Sequence, residues 1–74
     1  MTENSYKILQ YLQKHNGATA LEVAQALNME KRLVDSYFSA GIIRNGLGMR
    51  DEKTTPAKLL LNELGKQKVV KPIE

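Results

Sequence analysis

The chain has 74 residues, 42% of them apolar, and eleven Lys and Arg against eight Asp and Glu give a formal charge of +3. That length admits one domain with a modest core, burying roughly 60% of the surface that the unfolded chain exposes. No cysteine and a single histidine exclude a disulfide framework and a usual zinc site.

In residues 5 to 15, Ile8, Leu9, Tyr11 and Leu12 line one side of a helix, while Lys7, Gln10, Gln13 and Lys14 take the other. Asn4 or Ser5 is the expected cap. His15-Asn16-Gly17 is the expected stop, because Asn and Gly accept the left-handed conformation that ends helices. Ala18-Thr19 reads as a short extended piece. Thr19-Ala20-Leu21-Glu22 has the pattern of a capping box and opens a second helix over 20–27. Leu21, Ala24 and Leu27 are expected inward there, with help from Val23. Asn28-Met29 is the turn, with Met29 as its apolar plug. A third helix over 30–40 buries Leu33 or Val34, Tyr37 and Phe38, and leaves Lys31, Arg32, Asp35, Ser36 and Ser39 outside. Gly41 is expected to end it.

Ile42-Ile43-Arg44 is rich in β-branched residues and bounded by glycines, the pattern of a strand. Asn45-Gly46-Leu47-Gly48 is a turn signal, so residues 42–54 are predicted to form a hairpin. Thr55-Pro56 marks a helix start. The helix over 57–64 points Leu60, Leu61 and Leu64 inward and stops at Gly65. Residues 1–66 thus read as the domain and 67–74 as a basic tail in which Val69-Val70 can add a strand. Lys66, Lys68 and Lys71 there favour a polyanion, and a solvated tail explains them as well.

The order helix, short strand, helix, turn, helix, hairpin, closing helix resembles the winged helix-turn-helix superfamily of small bacterial, archaeal or phage-type transcriptional regulators. Residues 17–29, GATALEVAQALNM, are similar to that superfamily's second-helix pattern, a Leu-Ala or Val-Ala pair ahead of a Leu and the turn. Gly41-Ile42-Ile43-Arg44 is similar to its Gly-Leu-Ile-x step from recognition helix to wing. Thr55-Pro56-Ala57 with Leu60 and Leu61 is similar to the Leu-Thr-Pro-x-Gly opening of its last helix. The resemblance spans about residues 5–65. It implies a mainly α fold with a small β-hairpin (α+β): a three-helix core, a two-stranded wing and a C-terminal helix. The implied function is transcriptional regulation through double-stranded DNA, with helix 30–40 in the major groove and the 42–54 hairpin on the flanking backbone.

Lys31 and Arg32 sit in the first turn of that helix, where Arg can contact guanine bidentately; an ordinary solvated face is the other reading. Ser36 and Ser39 are candidate donors to phosphates or bases. Arg44, Arg50 and Lys53 lie on or near the wing as candidate backbone or minor-groove contacts. Asp35 either accepts from a cytosine amine or pairs with Lys31 or Arg32. The spacing of Tyr37 and Phe38 points to the core rather than to base stacking, and His15 reads as part of a helix cap.

No Ser/His/Asp set and no Gly-rich phosphate loop is present, so neither an enzyme nor a cofactor or metal is expected. The polar start Met1-Thr2-Glu3-Asn4-Ser5 has no apolar run behind it, and nothing approaches the roughly 18 apolar residues of a membrane span. The expected location is the cytoplasm. Expected partners are duplex DNA and a second copy of the chain, or a protein partner. The alternative function is a winged-helix protein–protein interaction module without direct DNA binding. RNA or left-handed duplex binding is a third reading.

Overall fold

The computed structural model describes residues 1–68. Helix α1 (Glu3–Lys14) is capped by Thr2, whose hydroxyl accepts from the Ser5 N–H at 3.2 Å. The cap therefore precedes the Asn4-Ser5 pair expected to supply it. Ser5 is instead buried, and its hydroxyl donates to the Tyr37 carbonyl at 3.4 Å. Ile8, Leu9 and Leu12 are fully buried. Helix α2 (Ala20–Leu27) opens on a complete capping box, with the Glu22 N–H donating to Thr19 Oγ1 at 3.2 Å and the Thr19 N–H to Glu22 Oε1 at 3.0 Å. Its inward face is Ala20, Val23 and Ala24, with Leu27 packed beside them, and Leu21 is 50% exposed rather than inward. Once Ala20 is the first inward residue, the helical period carries Leu21 out. Asn28 ends the helix in the left-handed conformation at φ 55°, and Met29 packs partly buried beneath the turn.

Helix α3 (Lys31–Tyr37) buries Val34, and at Phe38 the winding loosens into π-helical turns that run from Phe38 to Ile43. The wider register shows in the Arg44 N–H donating to the Ser39 carbonyl at 3.1 Å and the Leu47 N–H to the Ile42 carbonyl at 2.9 Å. Ile42-Ile43-Arg44 is therefore no strand, and Gly41 does not end the helix. Two magnitudes explain it. A β-branched residue disfavours a helix by less than about 0.7 kcal/mol. Burying the Ile42 side chain, fully enclosed here, contributes roughly 1.5–3 kcal/mol. Gly41 serves close approach instead, since a Cβ at that position would lie 2.5 Å from Ser5 Oγ on α1.

Strands β1 (Gly48–Asp51) and β2 (Lys58–Leu61) form an antiparallel hairpin, in register from Gly48↔Leu61 to Asp51↔Lys58. This replaces both the hairpin expected over 42–54 and the helix expected over 57–64. The other edge of β2 is held by the extended piece after α1. The Leu59 N–H donates to the Ala18 carbonyl at 2.8 Å, the Gly17 N–H to the Leu59 carbonyl at 3.0 Å, and the Leu61 N–H to Asn16 Oδ1 at 2.8 Å. A single bridge pairs Thr19 with Lys58, so the short extended piece read at Ala18-Thr19 is present. Leucine favours helix by only tenths of a kcal/mol over most residues, whereas each such hydrogen bond contributes about 1 kcal/mol net. With β2 extended, Leu59 and Leu61 alternate into the core and Leu60 lies over Gly17.

Asn62 caps α4 (Glu63–Gln67) by accepting from the Gly65 N–H at 2.9 Å. Gly65 does not stop this helix; it is buried against the Leu47 carbonyl, and Leu64 is 67% exposed rather than inward. Gln13 ties α4 to α1, its amide donating to the carbonyls of Gly65 at 3.0 Å and Lys68 at 2.7 Å. Helix α4 thus crosses the boundary expected after residue 66, while the strand considered at Val69-Val70, and Lys71, lie outside the described residues. The fold is mainly α with one two-stranded antiparallel hairpin. Among the described residues no helix is long and apolar enough to cross a membrane.

Candidate nucleic-acid interface

Helix α3 starts after Glu30 without a side-chain cap, the Glu30 carboxylate turning to Arg32 instead. Lys31 reaches Asp35 Oδ2 at 3.3 Å, one helical turn on, and Arg32 reaches Glu30 Oε2 at 3.3 Å. Both cations project into solvent, and the Arg32 side chain is 85% exposed. An exposed ion pair of this kind is worth about 0–1 kcal/mol, little enough for a phosphate to displace the carboxylate. Arg32, Ser36 and Ala40 recur every fourth residue on the side opposite buried Val34, Phe38 and Ile42, and Ile43, 37% exposed, borders that side.

Asp35 makes the ion pair expected of it, with Lys31 and not with Arg32. Its second cation comes from the hairpin. Arg50 turns towards α3, where Nη2 donates to the Asp35 carbonyl at 2.9 Å and to Ser39 Oγ at 2.8 Å, and stands 3.7 Å from Asp35 Oδ1. Its guanidinium lies 5.4 Å from the centre of the Phe38 ring. Of the seven candidate residues, Lys31 and Arg50 are joined through Asp35 and Ser39 is joined to Arg50, and Arg32 and Ser36 flank them on α3. Arg44, at the end of the π turns, and Lys53, in the hairpin loop, are exposed and stand apart from that group. The Lys53 N–H is taken by Asp51 Oδ1 at 3.0 Å. Along the hairpin runs a shallow open groove lined by Met49, which is 64% exposed, Arg50, Asp51, Glu52, Lys53 and Leu60.

Phe38 is fully buried and Tyr37 packs against the core, as their spacing indicated. His15 ends α1 through its backbone N–H, which donates to the Tyr11 carbonyl at 2.9 Å, while its ring stacks on Tyr11 at 4.6 Å. Away from α3, the Glu22 carboxyl is held below the ordinary glutamate range, first by the Thr19 N–H and then by the Thr19 hydroxyl, with Lys58 adding to both.

Ala40 lies inside the helix expected over 30–40 without having been assigned to its outward face, and Ile43 lies beyond the end expected at Gly41. A signal was present: Val34, Phe38 and Ile42 recur every fourth residue straight through that glycine. The inward turn of Arg50 had no local signal, since its acceptors lie eleven and fifteen residues away. Comparison with known proteins finds no matching family model, no matching curated protein and no matching solved structure.

Proposed function

We propose that this chain is a winged-helix domain that binds double-stranded DNA as a transcriptional regulator. Helix α3 and its π-helical continuation enter the major groove, and the hairpin over 48–61 takes the place of the wing. The order α1, extended piece bonded to β2, α2, left-handed turn, α3 and hairpin supports this reading. The continuation supports it further. From Lys31 to Ile43 the helix has the length to lie across a major groove about 12 Å wide, which a helix ending at Tyr37 barely has.

The observation that carries the proposal is the outward ridge from Arg32 through Ser36 to Ala40, with Ile43 at its edge. Arg32 suits the acceptor edge of guanine, Ser36 either base edges or phosphate, and Ala40 and Ile43 the methyl group of thymine. Lys31, Arg44 and Lys53 supply charge for phosphates. With three exposed cations on phosphates per subunit, log K falls against log salt with a slope near −2.7, from about −0.9 per phosphate. So few contacts per chain favour two copies on a palindromic site.

Fluorescence anisotropy with random-sequence duplex DNA across a salt series tests this, together with amide chemical-shift mapping. Shifts concentrated in residues 31–44 and 48–58, with a steep salt slope, support the proposal. Salt-insensitive binding, or no shifts at all, overturns it. Protein docking is the second reading, favoured by the carboxylates already paired with Lys31, Arg32 and Arg50 and by the partial exposure of Leu33 and Ile43. Lys31→Glu with Arg32→Glu separates the two. Charge reversal abolishes duplex binding under the first reading and leaves biological output intact under the second.

A further inference from the structure

Arg50 stands on the core-facing side of β1, paired with Leu59, and its side chain is only 26% exposed. Its contacts are all with one stretch of helix: the Asp35 carbonyl, Ser39 Oγ, the Asp35 carboxylate and the Phe38 ring. That stretch is where α3 gives way to π turns. The Phe38 N–H is shared there between the carbonyls of Asp35 and Val34. A change of winding alters which carbonyls keep a partner in the helix, and a planar guanidinium can donate to a carbonyl and a hydroxyl at once. Arg50 therefore bonds the hairpin to the helix at the point where the helix changes pitch.

We propose that Arg50 is the positioning residue of the interface. It fixes the hairpin against α3 through the Asp35 carbonyl and the Ser39 hydroxyl, so that both meet the duplex as one rigid surface, and it makes no phosphate contact of its own. This inference rests on the DNA-binding reading, and it changes what Arg50 is expected to do there. Arg50 turns its charge inward, and the two N–H groups of Nη2 are spent on the chain itself. A hairpin left to swing must be reordered on binding, and that ordering subtracts from affinity.

The test compares the full chain with Arg50→Lys, Arg50→Ala and Ser39→Ala. Two quantities are measured: duplex affinity across a salt series, and the orientation of the 48–51 and 58–61 amides relative to those of 31–37 from residual dipolar couplings. Both Arg50 variants are expected to reorient the hairpin and to lose roughly tenfold in affinity while the salt slope stays unchanged. Lysine does not rescue, because its shorter side chain keeps the charge without carrying a pair of N–H groups to the place that Nη2 occupies. Ser39→Ala, which keeps Arg50 and folds even where the Arg50 variants do not, gives a smaller reorientation in the same sense. A slope shallower by about 0.9 in Arg50→Ala would show a lost phosphate contact and overturn the proposal. Unchanged hairpin orientation in the variants overturns it as well, whatever the affinity does. If the wild-type chain binds no duplex, the functional reading fails and the couplings alone decide the role of Arg50.

Discussion

Residues 1 to 38 and residues 39 to 68 obey the same physics with different partners. In the first stretch α1 and α2 are closed by groups a few residues away. Thr2 caps α1, Thr19 and Glu22 cap α2 reciprocally, and Asn28 turns the chain left-handed after Leu27. In the second stretch the deciding partners are remote: Ala18 and Asn16 for β2, Ser5 for the path through Gly41, and Leu47 for Gly65. A local pattern suffices only where local groups satisfy the backbone. Where a distant segment offers the hydrogen bond or the cavity, intrinsic propensity yields to it.

The contrast turns first on which leucine in 57–64 holds the fold. With 58–61 extended, Leu59 and Leu61 are core and Leu64 is surface. Leu59→Ala is expected to cost about 2–5 kcal/mol, the range for truncating an enclosed leucine. Leu64→Ala is expected within about 0.5 kcal/mol of the wild type. Urea unfolding followed by circular dichroism measures both. Comparable losses in the two variants would restore the helix over 57–64 and end the contrast between the halves.

A smaller effect is expected at Gly41, where the two halves touch. Gly41→Ala places a methyl group against the Ser5 hydroxyl, inside a packed crossing of the π turns with α1. Overpacking of this kind costs about 1–3 kcal/mol. In a Ser5→Gly background the added methyl has room, so the loss caused by Gly41→Ala should shrink. An exposed helix-ending glycine would give the opposite result, with the alanine cost indifferent to Ser5. A double-mutant cycle on thermal unfolding distinguishes them, the coupling between the two sites being the measured quantity.

These cases also mark how far the residues alone disclose the molecule. The second helix, the turn after it and the core role of Phe38 were legible because capping chemistry and helical period are written within one turn of chain. The hairpin was expected one element too early because Ile42-Ile43 looks like a strand to any rule blind to the core beneath it. Lys58-Leu59-Leu60-Leu61 looked like helix for the same reason. The outward cations of α3 were legible from spacing. The inward guanidinium of Arg50 was not, since its place depends on a register between β1 and α3 that no local pattern encodes.

The weakest expected effect probes the half in which sequence and structure agree most closely. Glu22 accepts from the Thr19 N–H, and this bond, followed by the Thr19 hydroxyl, lowers its carboxyl below the ordinary value of 4.5. A carboxyl lowered in the folded state adds stability that is present in full above its unfolded value. That stability is lost as pH falls through the folded value. The capping box should therefore weaken only in acid, below about pH 4.5. Glu22→Gln keeps an oxygen to accept from Thr19 but cannot titrate, so its stability should decline less than that of the wild type between neutral pH and pH 3. The comparison is a difference between two proteins, so titration of the remaining carboxyls cancels to first order. Parallel pH profiles would mean that Glu22 is not bonded to Thr19 in solution, and the local closure attributed to the first half would lose its best-defined member.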